Sequence, residues 1–127
     1  MTLKVLIAHH DTVGLSHDAA VLSAAIQAVR PHARIIEWVL PDWCLSDSAS
    51  ALPLPQALQE ERLPCDYLFL LEHAFANPPL LTRTLARNVV YVPNIEWIFP
   101  TDEAVMRSGA LDAVLIKTQH ALSIFHA

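Results

Sequence analysis

Tyr91-Val92-Pro93-Asn94-Ile95-Glu96-Trp97 and the later run Leu111-Asp112-Ala113-Val114-Leu115-Ile116-Lys117-Thr118 decide the fold. Each is a short apolar run that ends abruptly in polar, hydrogen-bonding residues. A parallel strand buried on both faces, with its carboxyl end opening onto a ligand crevice, has this signature. The same pattern occurs at Leu3–Ala8, Ala33–Leu40 and Asp66–Leu71. Those three runs, with Asn88–Val92 and Leu111–Ile116, are the predicted strands.

Helical patterns fill the gaps. His9 to Leu15 reads as a polar loop, with Gly14 serving the turn. Ser16 then reads as an N-cap, with Asp18 in the first turn where the helix dipole favours an anion. Ala19, Leu22, Ile26 and Val29 recur at helical spacing, and Pro31 marks the stop. Pro41 to Pro55 is an irregular loop, followed by a short helix over Gln56 to Arg62. Asn77-Pro78 is an N-cap and N1 proline for a helix with Leu80, Leu81 and Leu85 on its face and Arg83 and Arg87 near its end. Thr101 caps another helix, Asp102 and Glu103 fill its first turn, and Arg107 and Gly109 close it. From Thr118, residues Ala121, Leu122, Ile124 and Phe125 begin a helix with no stop signal before Ala127.

Strands alternating with helices imply a parallel sheet with right-handed crossovers. The first and third strands are the most apolar and belong side by side at the centre. The second alternates, with Arg34 and Glu37, and belongs nearer an edge. The predicted order is 2-1-3-4-5, in a Rossmann-like, flavodoxin-like three-layer α/β/α sandwich. The alternative order 3-2-1-4-5 would push the third strand to an edge, against its composition.

With 127 residues, the chain fits one domain with one core. Hydrophobic residues make up 54% and charged residues 17%, which suggests apolar surface covered by a partner, a further domain or a second copy. A net charge of −5 without any basic run argues against nucleic acid. No apolar stretch approaches the roughly 20 residues that span a bilayer. The first residues carry no signal-peptide pattern, and Cys44 and Cys65 form no C-x-x-C or zinc set. Reduced thiols in a cytoplasmic protein are expected.

Ligands of such sheets bind outside the carboxyl ends of the strands. There the sequence places His9, His10, Asp11 and Gly14, then Glu72 and His73, then Asn94, Glu96 and Trp97, then Lys117, Thr118 and His120. Histidines and carboxylates on neighbouring loops suit general acid–base work, with His10, His73 and Glu96 as candidate catalytic groups. Asp11, Gly14, Glu72, Asn94, Trp97, Lys117 and Thr118 suit substrate binding. In particular they suit a sugar, with amides and carboxylates on hydroxyls and the Trp97 face on the ring. No metal is expected, because consecutive histidines on a strand point opposite ways. Plainer roles compete. Glu72 and Glu96 would cap helices or pair with Arg83 or Arg87, Trp97 would join the core, and Lys117 would be a solvated strand end. No G-x-G-x-x-G, Walker A or G-x-S-x-G motif is present.

The Asn94-Ile95-Glu96-Trp97 tract, the helix after it, Leu111 to Thr118 and Phe125 resemble the N-terminal, acceptor-side domain of bacterial two-domain glycosyltransferases of the GT-B type. The resemblance follows the order of elements along the whole chain, and its specific part is the last third. It implies a sugar or glycan acceptor bound here and a nucleotide-sugar donor held by a C-terminal domain. Hexosyl transfer would then belong to the longer protein, with no cofactor and the isolated chain inactive. The first loop has one glycine, Gly14, where many members have a pair, and the family's paired-glutamate donor motif is absent from the chain. A non-enzymatic flavodoxin-like binding module and a receiver-like signalling domain are the alternatives. Against the receiver, Glu72 stands where the phosphoacceptor aspartate belongs, histidines replace the acidic pair, and Thr118 rather than proline follows Lys117.

Overall fold

The computed structural model describes residues 2–10, 13–40, 56–73, 84–94 and 100–116. In chain order these form β1 (Lys4–His10), α1 (Val13–Val29), β2 (Arg34–Leu40), α2 (Gln56–Gln59), β3 (Cys65–Glu72), β4 (Ala86–Pro93), α3 (Pro100–Arg107) and β5 (Ala113–Val114). All paired strands run parallel, in the order β2-β1-β3-β4-β5. The chain is a Rossmann-like parallel α/β domain, a three-layer α/β/α sandwich with the predicted strand order.

Alternation along each strand feeds two cores. On one face Leu6, Ala8, Leu68, Leu70, Val89 and Tyr91 pack with Leu58 of α2 and Val105 of α3. On the other, Val5, Ile7, Leu71 and Val92 pack with Leu15 and Ala19 of α1, backed by Leu22 and Ile26. The α1 stripe 15-19-22-26 keeps one helical face toward the sheet. Burial on both faces is why β1 and β3 read as unbroken apolar runs. The alternating β2 is an edge strand, as its sequence predicts, with Arg34, Glu37 and Val39 exposed.

Several boundaries move. His9 and His10 are not loop residues but the end of β1, in register with Val39 and Leu40 of β2. A strand holds His9 because polar partners are supplied to its ring. His9 Nδ1 lies 2.9 Å from the His10 carbonyl oxygen, and its Nε2 lies 2.5 Å from Glu37 Oε1 across the sheet. Consequently α1 begins at Val13, and Ser16 and Asp18 are helical rather than a cap and its first turn. Gly14 therefore lies in the first turn of α1 and does not serve a loop turn. Val29 falls off the buried stripe and is 76% exposed at the helix end. The helix expected over Gln56 to Arg62 stops at Gln59. Arg87 belongs to β4, not to the preceding helix, and pairs with Asp66 at 3.6 Å rather than with a glutamate of the crevice. The fifth ladder is only Ala113–Val114 long, fixed by Asp112, which accepts the Val89 N–H through Oδ2 and donates its own N–H to the Val89 carbonyl. Gly109 closes α3 as expected, with φ +78° in the left-handed region that glycine tolerates.

Cys65 is a fully buried free thiol, and burial pushes its pKa up, which keeps it protonated and inert. Cys44 and the expected helices around Leu80–Leu81 and after Thr118 lie outside the described residues. Among the described residues no helix is long and apolar enough to cross a membrane.

Candidate functional site

Sequence order takes the chain from β1 to β2 on one side and then to β3 on the other. The connections therefore diverge above β1 and β3, the switch point at whose carboxyl side ligands of parallel α/β sheets bind. His10, Glu72, His73, Asn94 and the first turn of α3 meet there.

The pivot is Glu72. Its φ is +69°, a left-handed conformation that costs a side-chain-bearing residue roughly 1–2 kcal/mol. The His73 N–H donates back to the Leu71 carbonyl at 2.8 Å, closing a three-residue γ-turn of the rare, strained form. Strain of this kind persists only where its surroundings hold it. The holding contact is Tyr91, whose hydroxyl donates to the Glu72 carbonyl at 2.6 Å from a fully buried ring.

The turn aims His73 at α3. His73 Nδ1 donates to Asp102 Oδ2 at 2.8 Å, and Asp102 is completely buried. A carboxylate there also sits in the first turn of α3, where the helix dipole favours it. With the hydrogen on Nδ1, Nε2 is the basic nitrogen of the ring. Nε2 lies 3.8 Å from Glu72 Oε2, beyond hydrogen-bond length, and Asn94 Nδ2 approaches Glu72 Oε1 at 3.5 Å. The ring of buried His10 stands 6.1 Å from that of His73, tilted by 37°. An oriented imidazole beside a carboxylate, an amide and a second imidazole is equipped to take a proton from a hydroxyl and to hold its neighbours.

Of the residues expected at this edge, the structure brings together His10, Glu72, His73 and Asn94. Gly14 is exposed in the first turn of α1. Asp11, Glu96, Trp97, Lys117, Thr118 and His120 lie outside the described residues. His9 is engaged on the α1 face with Glu37 and is not part of the cluster. Asp102 and Tyr91 were not foreseen. Asp102 carried one usable signal, a carboxylate opening a helix that starts at the sheet's carboxyl edge. Among the described residues no group of three or more His, Cys, Asp or Glu is placed to hold a metal ion.

Tyr91 makes the support of this turn measurable. Burial first, then the nearby Asp102 and Glu72 carboxylates, push its phenol well above the ordinary value of 10.0. The unfolded chain releases this proton near pH 10 while the native state keeps it. The associated stability is therefore complete below pH 10 and declines as pH rises above it, by at most about 1.4 kcal/mol per pH unit. Tyr91→Phe should lower stability at neutral pH by about 1–3 kcal/mol, because the Glu72 carbonyl loses its donor. It should also remove this part of the alkaline decline, so urea midpoints of the two proteins should converge between pH 9 and 11. Midpoints that stay parallel would show that the phenol is not held as described.

Comparison with models of protein families, with curated proteins and with solved structures returns no match.

Proposed function

We propose that this domain is the acceptor-binding N-terminal half of a two-domain, cytoplasmic glycosyltransferase that uses a nucleotide-sugar donor. His73 is the base. The observation that carries this reading is the 2.8 Å bond from His73 to the buried Asp102 at the carboxyl edge of the sheet. A sugar or glycan hydroxyl enters beside Nε2, oriented by Glu72 and Asn94. As the hydroxyl oxygen attacks the anomeric carbon, its proton passes to Nε2, and the nucleoside diphosphate departs with the electrons of the broken glycosyl–phosphate bond. Asp102 holds the ring in the correct tautomer and stabilises the imidazolium that forms.

His10 stands beside His73 at the same edge. Asp11, Gly14, Glu96, Trp97, Lys117 and Thr118 extend the acceptor site along the same edge in this reading, with Glu96 as the other candidate base. The donor is held by a second α/β half, so the isolated chain has no transferase activity. The reaction needs no metal or redox cofactor from this half.

The test joins sequence and assay. The reading frame beyond codon 127 should encode a second α/β domain. The complete protein should release nucleoside diphosphate from a nucleotide sugar only when a glycan acceptor is present. A frame that ends at Ala127, or a complete protein inert toward a broad panel of nucleotide sugars and acceptors, would overturn the proposal.

A further inference from the structure

The opposite edge of the sheet carries a second feature. An open groove of about 1100 Å³ runs along the amino ends of the strands, and Lys4, Arg30, Arg62 and Arg87 line it. These are four of the chain's eight Lys and Arg residues, gathered on one edge of a protein whose net charge is −5. The carboxylate in the lining is Asp66, and it is already engaged. Its Oδ2 accepts the Lys4 backbone N–H at 2.8 Å, and its Oδ1 faces Arg87 at 3.6 Å. Glu61 holds Lys4 Nζ at 3.1 Å and also pairs with Arg34. Arg30 and Arg62 are both exposed, and neither guanidinium has a carboxylate partner among the described residues. Leu3, Leu63 and the exposed Val29 add apolar surface to the lining.

We propose that this groove binds a small organic phosphate with adjacent phosphate groups, Arg30 and Arg62 closing on the phosphate oxygens while the apolar lining residues take the organic part. Guanidinium groups match phosphate oxygens two at a time, which a carboxylate-paired lysine such as Lys4 does not. At about 1100 Å³ the groove slightly exceeds the roughly 300–1,000 Å³ usual for small-molecule sites, so it is large enough for more than a bare ion. Surplus positive charge on an otherwise acidic surface draws an anion to this edge and away from the carboxylates of the opposite one. Val29, exposed at the end of α1, gives the groove rim apolar surface that a ligand can cover.

The site lies on the edge away from His73 and does not depend on the transferase reading. The test is titration of the 127-residue chain with inorganic pyrophosphate at pH 7.5, followed by calorimetry and by backbone amide shifts, with sodium sulfate at equal ionic strength as control. Saturable binding is expected, with shifts concentrated at residues 30–33 and 62–66 and with sulfate much weaker. The double substitution Arg30→Gln/Arg62→Gln should weaken pyrophosphate binding at least about tenfold while leaving the thermal midpoint unchanged, since both side chains are exposed. His73→Ala should leave pyrophosphate binding unchanged. Absence of saturable binding, equal binding by the double variant, or shifts at residues 72–73 and 94 instead would each overturn the proposal.

Discussion

His73→Ala should lower the turnover of the complete transferase by about 10²–10⁴-fold, the range expected for loss of a positioned general base. Acceptor KM should move by much less, because the proton transfer matters in the transition state and not in the bound ground state. The geometry behind this is a chain of constraints. Tyr91 fixes the Glu72 carbonyl, the γ-turn redirects the backbone, and Asp102 sets the imidazole. His73→Gln gives a useful contrast, since its amide can donate to Asp102 yet has no basic nitrogen. It should preserve the fold and still lose the rate. Turnover within a factor of a few of wild type in both variants would reduce His73 to a packing residue.

Leu68→Ala should cost about 2–5 kcal/mol of stability, the range for truncating a fully buried leucine. Leu68 is 0% exposed in the middle of β3, paired with Leu6 on one side and Val89 on the other. The central strand has sheet neighbours on both sides and layers on both faces, so little can relax into the space left behind. Val39→Ala is the matched control, because Val39 is 47% exposed on the edge strand, and it should change stability by under about 1 kcal/mol. Urea denaturation of both variants checks the difference. Comparable losses would mean that β3 is not the core strand described.

The strand order was legible because burial on both faces leaves a plain mark on sequence. Val5 to Ala8 and Leu68 to Leu71 carry no polar interruption, whereas β2 alternates and lies at an edge. The end of β1 was not legible. Histidine beside histidine reads as loop until Glu37, 28 residues away, is seen to satisfy His9 across the sheet. Once β1 is lengthened, the cap reading of Ser16 fails as well, because α1 starts sooner. Local propensity could not settle either point, since tertiary partners supply the deciding hydrogen bonds.

The crevice was half legible. Parallel topology alone delivers His10, Glu72, His73 and Asn94 to one edge. Asp102 was hidden because its position already had a sufficient local explanation, a carboxylate in the first turn of a helix. Its partner His73 lies 29 residues earlier. The left-handed Glu72 was hidden for a different reason. A glycine or asparagine at a strand end announces such a turn, and a glutamate does not.

The most direct measurement of the central claim is a double-mutant cycle on turnover in the complete protein, with His73→Ala, Asp102→Ala and both together. If Asp102 acts through His73, each single change lowers turnover and the double variant is no slower than His73→Ala alone. Near-normal turnover in every variant, or losses that multiply as if independent, would contradict an oriented His73 base at this crevice.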